Sequence, residues 1–449
     1  MGKLFGTDGV RGVANTELTN ELAYKLGKFG AYVLTKETHH KARILIGKDT
    51  RVSGDMLESA LIAGILSAGC DVIKVGVVPT PAIAYLVRHL KLDAGVMISA
   101  SHNPVEYNGI KFFDGNGFKL SDKIEEEIED YILNDRELER ILSGTEIGRK
   151  MEIYKASDLY SEYVRETAFA DLTGLKVAID CANGAAFEVA QQALKALGAE
   201  VDAFYNEPDG FNINANCGST HIDVIGDIVK AGNYDIGLAF DGDADRLLAV
   251  DENGEFVDGD KIMTICGINM KKRGLLAKDT VVTTVMSNIG MDEAFRNHDL
   301  KAVKAKVGDR YVLEEMVKGG YSLGGEQSGH IIFLDTNTTG DGLMTAIQLM
   351  CILKDSGKKM SELASVMTVY PQVLKNAHVK TENKLAYQND SVIMDKIKEV
   401  EAYFHGKGRV LIRPSGTEPL VRVMIEGSDL SVLEAYSDEL KVLIETRLG

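Results

Sequence analysis

The sequence predicts an α/β protein: three similar α/β domains on mixed, mainly parallel sheets, plus a smaller C-terminal α+β domain, around a central cleft. At 449 residues the chain is too long for one core, and ordinary domain sizes give a starting expectation of about three domains. Apolar strands recur in one context, each followed by a glycine-containing turn, an amphipathic helix and a second strand. That βαβ pattern demands a largely parallel, helix-covered sheet. Three further apolar runs end in loops crowded with hydroxyls, carboxylates and imidazoles that packing does not require. In open α/β sheets, ligands bind outside the carboxyl ends of the strands.

In chain order, the first unit is a strand at 43–49, a Gly/Ser loop, a helix at 55–68 and a strand ending at 75. The second repeats this at 175–180, 187–197 and 198–204, with Cys-Ala-Asn-Gly-Ala-Ala as its turn. The third has a strand at 281–288, a helix from Met291 and a strand at 300–307. Each leads, after further helical sequence, to a polar loop: Ser99-Ala-Ser-His-Asn-Pro104 after a strand at 95–98, Asp241-Gly-Asp-Ala-Asp-Arg246 after 236–240, and Glu326-Gln-Ser-Gly-His330. The pattern reads as one triplicated α/β domain; three domains of independent origin is the alternative. Beyond about residue 368 come a strand at 373–380, a helix at 392–404, two strands around a turn within 408–427, and a closing helix from Asp429. Strands in sequence with helices on one side suggest α+β. The expected domains are therefore 1–152, 153–254, 255–368 and 369–449.

A charged share of 26% and an apolar share of 45% are those of a globular protein. The net charge of −17 disfavours nucleic acid and anionic membranes as partners, because both are bound through clustered Lys and Arg. A phosphate ligand would need locally placed arginines and helix N-termini against that field. Five scattered cysteines, with no Cys-x-x-Cys, read as reduced thiols of a cytoplasmic protein. No apolar leader and no run of membrane-spanning length is present.

Asp241, Asp243 and Asp245 alternate, so on an extended segment they share one face within reach of one hard cation. Such oxygen donors suit Mg²⁺ or Ca²⁺ rather than Zn²⁺. An EF-hand loop would begin the same way and close at Glu252. It is disfavoured because Arg246 stands where the turn needs Gly and because both flanks read as strands. A solvated acidic turn is the plain alternative, but crowded carboxylates repel unless a cation lies between them.

Ser101 suits a nucleophile, an anion-binding hydroxyl or a turn residue. Without Gly-x-Ser-x-Gly it is no hydrolase elbow. A cation site at the end of an equivalent strand favours a role in which the metal activates a phosphoseryl group. Arg413-Pro-Ser-Gly-Thr-Glu418, with Arg422 close behind, gathers guanidinium, hydroxyls and turn amides suited to a phosphate dianion, though a simple turn is the alternative. Glu326 and Ser328 suit hydroxyl recognition, and His330 acid/base work or phosphate contact.

These motifs, in this order, resemble those of the α-D-phosphohexomutases, from Gly6-Thr-Asp-Gly-Val-Arg-Gly12 to Arg413-Pro-Ser-Gly-Thr-Glu-Pro419, essentially the whole chain. Phe5-Gly-Thr-Asp-Gly-Val-Arg-Gly12, Ile98-Ser-Ala-Ser-His-Asn-Pro104 and Glu326-Gln-Ser-Gly-His330 resemble the bacterial glucosamine branch most. The resemblance implies interconversion of glucosamine 6-phosphate and 1-phosphate, with glucosamine 1,6-bisphosphate as intermediate and activator. It implies that Ser101 is phosphorylated and that Asp241, Asp243 and Asp245, with an oxygen of phosphoserine 101, hold Mg²⁺. Arg11 and Arg246 are implied to stabilise phosphoryl charge, and Lys111 and His330 to be the candidates for general acid/base. Glu326 and Ser328 are implied to bind sugar hydroxyls, and Arg413, Ser415, Gly416, Thr417 and Arg422 the non-reacting phosphate. The implied partner is a hexosamine phosphate, with no nucleic acid or membrane, in a cytoplasmic enzyme of amino-sugar supply; a homodimer is compatible with this. A phosphoglucomutase or phosphomannomutase, and a Mg²⁺-dependent sugar phosphatase, are the rival functions. The terminal domain is expected to hinge near Tyr370-Pro371.

Overall fold

The computed structural model describes residues 4–6, 8–138, 140–415 and 418–449. It divides into two compact units, Met1–Met286 with Leu300–Val366, and Ser287–Asp299 with Met367–Gly449.

The first unit carries three sheets of related topology. The first contains β1 (Val10–Val13), β2 (Arg43–Lys48), β3 (Asp71–Val77), β4 (Ala94–Ile98), β5 (Tyr107–Asp114) and β6 (Lys150–Glu152), in the order β1-β5-β4-β2-β3-β6. Its helices are α1 (Asn20–Thr35), α2 (Ser53–Ser67), α3 (Thr80–His89) and α4 (Asp122–Leu133). After α5 (Ala156–Glu166), the second sheet uses β7 (Lys176–Asp180), β8 (Glu200–Phe204), β9 (Ile236–Phe240), β10 (Leu247–Val250) and β11 (Phe256–Val257), with α6 (Val189–Ala196) and α7 (Ile222–Ala231). The third uses β12 (Thr280–Thr284), β13 (Lys301–Ala305), β14 (Leu323–Gly325) and β15 (Ile331–Phe333). Its helices are α8 (Gly259–Lys272), α10 (Asp309–Gly319), α11 (Gly342–Ser356) and α12 (Met360–Ala364), while α9 (Ile289–Asn297) groups with the second unit.

In each sheet one central strand (β2, β7, β12) pairs in parallel with two neighbours, and one of those (β4, β9, β14) turns back into an antiparallel partner (β5, β10, β15). The three polar loops are these three turn-backs. β4, β9 and β10 are buried along their whole length, which is why they read as unbroken apolar runs rather than alternating ones.

The second unit is an antiparallel sheet of β16 (Gln372–His378), β17 (Arg409–Pro414) and β18 (Leu420–Glu426), in the order β16-β18-β17. Its core joins Ala377, Val421, Val423 and Ile425 to Ile393 and Val400 of α13 (Ser391–Tyr403) and to Leu433, Leu440 and Ile444 of α14 (Leu430–Leu448). Asp390 and Asp429 cap the two helices, each accepting two backbone N–H bonds.

The third repeat departs locally from the sequence expectation. β12 ends at Thr284 rather than 288, because the Asn288 side chain accepts the Gly290 N–H and starts α9 two residues before Met291. Among the described residues, no helix is long and apolar enough to cross a membrane.

Candidate active site

The site grows from the ends of β4 and β9. Beyond β4 the chain turns sharply, with Ser101 in the left-handed region at φ 53°. A non-glycine residue there carries steric strain and persists only where its surroundings hold it. Here the holder is Arg51, buried and just beyond β2. Its guanidinium donates to the carbonyls of Ser101 (2.9 Å), Asn103 (2.8 Å), Pro104 (2.5 Å) and Tyr107 (3.1 Å). Asp49 balances that charge from 2.9 Å and accepts the Ser99 hydroxyl at 2.6 Å. Ser99 Oγ in turn accepts the Ser101 N–H, and Asn214 donates to the Ser101 carbonyl, both at 2.9 Å. The buried Ser101 hydroxyl is thereby aimed at Asp241, donating to Oδ2 at 2.6 Å.

Asp241, Asp243 and Asp245 are buried, with one oxygen of each lying within 4.8 Å of the others. Extended alternation is not what gathers them. The Ala244 N–H closes a turn onto the Asp241 carbonyl, and Ala244 sits at φ 55°, so a tight loop converges the carboxylates. The loop approaches Ser101 so closely that a Cβ on Gly242 would lie 2.5 Å from the Ser101 carbonyl oxygen. Among the described residues, Asp243 Oδ1 and Asp245 Oδ1 are buried without a hydrogen-bond partner. Orphaned oxygens in an acidic cluster are the donor set of a hard divalent cation, so the three aspartates can hold one. Burial and then its two neighbours push the Asp241 carboxyl well above its ordinary range.

Lys111, on β5, reaches the same cluster, 2.8 Å from Asp243 Oδ2 and 3.1 Å from Asp8. Burial opposes its charge, but Asp243, Asp8 and Asp245 outweigh burial and raise its pKa. His330, just before β15, is buried with Nδ1 3.6 Å from Asp245, while Nε2 accepts the Gly340 N–H at 3.0 Å. That bond leaves the ring proton on Nδ1, facing the carboxylate. Burial lowers the pKa of His330, yet Asp245 and then Asp309 give a net rise. His102 lies 3.2 Å from the Ser101 hydroxyl and is held neutral, its pKa lowered to about 4 by burial, Arg246 and Arg11. Arg246 follows the aspartates directly, and Arg11 pairs with Asp8. Both bury an Nε without a hydrogen-bond partner among the described residues, that of Arg246 lying 3.8 Å from Asp245.

In the loop between β14 and β15, Glu326 accepts the Gly308 N–H at 2.9 Å, and Ser328 is half-buried. This loop leans on the metal loop's strand, with the Leu247 N–H donating to the Gly329 carbonyl at 3.0 Å. Within the second unit, Arg413 and Arg422 stand directly opposite each other on β17 and β18. Like charges so placed repel unless an anion joins them. Burial and then Arg422 lower the Arg413 pKa. Ser415 is buried and accepts the Glu418 N–H through Oγ; Gly416 and Thr417 lie outside the described residues.

Models of the phosphoglucomutase/phosphomannomutase family match four consecutive stretches. These are alpha/beta/alpha domain I at residues 2–139, domain II at 158–254, domain III at 258–370 and the C-terminal domain at 374–441. The chain belongs to this family. Relatives named phosphoglucosamine mutase from Alkaliphilus oremlandii, Alkaliphilus metalliredigens and Acetivibrio thermocellus are 61%, 59% and 59% identical over 449 residues, covering 100% of both chains. A solved phosphoglucomutase/phosphomannomutase family protein from Burkholderia thailandensis is 26% identical with a TM-score of 0.82, the match covering 99% of this chain and 97% of that one. The N-acetylphosphoglucosamine mutase of Aspergillus fumigatus, solved with GlcNAc-6P and magnesium, shares the fold at 18% identity and a TM-score of 0.70, over 99% and 96% of the two chains.

In this member of the family the site also uses residues that motif reading passed over. Asp49 and Arg51 hold the serine loop, Asp8 pairs with Lys111, and Thr80 donates to Asp243 at 2.6 Å. The first pair had a sequence signal: Gly47-Lys-Asp-Thr-Arg51 is a charged loop after a strand of the first repeat, at the same carboxyl end of the sheet as the serine loop. Asp8, in the N-terminal motif, and Thr80, at the start of α3, become recognisable only in space.

Proposed function

We propose that the protein interconverts glucosamine 6-phosphate and glucosamine 1-phosphate by phosphoryl transfer between Ser101 and the sugar. The observation that carries the proposal is the Ser101 hydroxyl, 2.6 Å from one of three converging buried aspartates and held in a strained turn by a buried arginine. Phosphoryl transfer is catalysed chiefly by positioning and charge neutralisation, and these residues supply both. That full-length relatives are named phosphoglucosamine mutase supports glucosamine, rather than glucose or mannose, as the sugar.

In the active form, Ser101 carries the phosphoryl group, and Asp241, Asp243 and Asp245, with a phosphoserine oxygen, hold Mg²⁺. When bound, that ion neutralises charge on the transferring group. The sugar O1 attacks phosphorus, the bond to Ser101 Oγ breaks, and glucosamine 1,6-bisphosphate forms. Oγ takes a proton from one member of the Lys111 and His330 pair, and the O1 proton replaces it. After the bisphosphate turns around, Ser101 Oγ attacks the 6-phosphate. The P–O6 bond breaks, O6 takes a proton from the same pair and the Oγ proton replaces it, phosphoserine is restored and glucosamine 1-phosphate leaves.

Arg11 and Arg246 stabilise the moving charge. Glu326 and Ser328 orient the sugar hydroxyls, while Arg413, Ser415, Gly416, Thr417 and Arg422 grip the phosphate that is not reacting. In this scheme the domains are 1–152 with the phosphoserine loop, 153–254 with the metal loop, 255–368 with the sugar loop and 369–449 with the phosphate grip. The reaction needs no nucleic acid or membrane, and its setting is the cytoplasm; a homodimer is compatible with it.

The test is phosphorus NMR of purified protein with Mg²⁺, a trace of hexose 1,6-bisphosphate, and glucosamine, glucose and mannose 6-phosphates in competition. Preferential glucosamine 1-phosphate supports the proposal. Equal or faster conversion of glucose or mannose overturns the substrate, and free phosphate alone overturns the mutase reaction in favour of a phosphatase.

A further inference from the structure

We infer that Lys119 is a positioning residue for phosphoryl transfer, closing a ring of polar contacts that keeps both Lys111 and His330 aimed at the carboxylate cluster; this rests on the function proposed above. The ring can be followed contact by contact. Lys119 Nζ donates to Asp8 Oδ1 at 2.5 Å, and Asp8 Oδ2 lies 3.1 Å from Lys111 Nζ. Lys111 Nζ is 3.7 Å from Asp245 Oδ2, the same oxygen that faces His330 Nδ1 at 3.6 Å. His330 Nε2 is 3.8 Å from Asp309 Oδ2, which accepts from Lys119 and completes the circuit.

Of the two lysines in the ring, Lys111 contacts Asp243 and Asp245 directly, whereas Lys119 pairs with Asp8 and Asp309. It follows β5 by five residues, and its backbone bridges to Phe113 on that strand, which places the ammonium behind Lys111. Asp309 opens α10, and the preceding Gly308 N–H fixes Glu326, so the same helix start orients a sugar-loop carboxylate and a ring carboxylate.

Removing the Lys119 charge leaves no cation between Asp8 and Asp309, and Asp8 then relies on Arg11 and Lys111 alone. Asp8 then competes with Asp243 for Lys111, and Asp309, left without its cation, faces the unprotonated Nε2 of His330 and pushes the ring away from Asp245. Both groups that move protons in the proposed reaction are displaced by one change that touches neither.

A cavity of about 340 Å³ is lined by Lys119, Asp309 and His330 of this ring together with Arg310, Leu313 and Ile332 among others. It gives a small cation room beside the Lys119 position.

The experiment compares wild type with Lys119→Met, Lys119→Arg and Lys119→Ala in the mutase assay, with melting temperatures measured alongside. Lys119→Met is expected to lower kcat roughly tenfold to hundredfold, the usual range for groups that orient site residues, with KM changed by much less. Lys119→Arg should recover most of the loss, and millimolar ethylammonium should restore turnover to Lys119→Ala but not to Lys119→Met, whose side chain fills the space. Wild-type kcat in Lys119→Met overturns the inference, as does a loss that tracks melting temperature and responds to neither arginine nor amine. If Lys119→Met folds poorly, Lys119→Gln carries the same test; a folded Lys119→Gln with wild-type kcat also overturns it. A wild-type protein without mutase turnover refutes the proposed reaction itself, a separate result.

Discussion

Ser101 shows how one residue can be locally unfavourable and chemically well placed. Its φ of 53° carries strain that glycine would not feel. Ser101→Ala and Ser101→Gly both lose the hydroxyl, so both should abolish mutase turnover. They should differ in stability, with the glycine variant more stable by about 1 kcal/mol in chemical denaturation. Equal stability would mean that the turn is not strained. Asp180, at the end of β7, makes a different residue-scale statement. Burial raises its pKa from 3.8 to about 6, despite N–H bonds from Gly218 and Ala182. A carboxyl whose folded pKa lies above its unfolded one binds its proton more tightly in the folded state. Its ionisation therefore costs stability as pH rises from about 4 to about 6, of order 3 kcal/mol in full. Relative to Asp180→Asn, the wild type should gain stability as pH falls from 7 to 4. A flat difference across that range would rule out the raised pKa.

At the scale of elements, the three turn-back loops are one device used three times. A buried parallel strand delivers its last residues to the sheet edge, and the reversal into an antiparallel partner exposes them to the site. Close approach is part of this device. A Cβ on Gly242 would meet the Ser101 carbonyl at 2.5 Å and Asn214 Nδ2 at 2.9 Å. Gly242→Ala should therefore push the metal loop away from the serine loop. The expected outcome is a fold that survives, as judged by circular dichroism, with Mg²⁺ affinity by calorimetry and kcat both reduced roughly tenfold or more. Unchanged Mg²⁺ affinity would show that the loops move independently.

On the whole-molecule scale, the two compact units each have a core, and the carboxylate cluster lies entirely within the first. Three buried acidic groups repel one another, so a bound cation stabilises the unit that contains them. A ligand at a hundred times its Kd contributes about 2.7 kcal/mol. Calorimetric scans with Mg²⁺ and with chelator should differ in the transition of the first unit and leave that of the second unmoved. The double variant Asp243→Asn/Asp245→Asn should lose the difference. A scan indifferent to chelator in the wild type would remove the metal from the site.

Much of this protein was decided by its sequence. Periodicity and glycine-bounded turns specify the repeated βαβ units, because a strand buried on both faces must be apolar throughout and a covering helix must be amphipathic. The polar loops announce Ser101, the aspartates and His330, because such groups at strand ends have no packing role. Tertiary structure alone decided the rest. The aspartates converge through a left-handed turn at Ala244, not through the extended alternation their spacing suggests. Arg51 becomes the clasp of the serine loop only when β2 lies beside β4. Lys119, Asp8 and Asp309, more than a hundred residues apart in part, form one circuit with Lys111 and His330 only after three sheets have packed. Local pattern records which face of an element is buried; it holds no record of which charges from distant elements will neutralise one another, because that depends on distances set by the assembled fold.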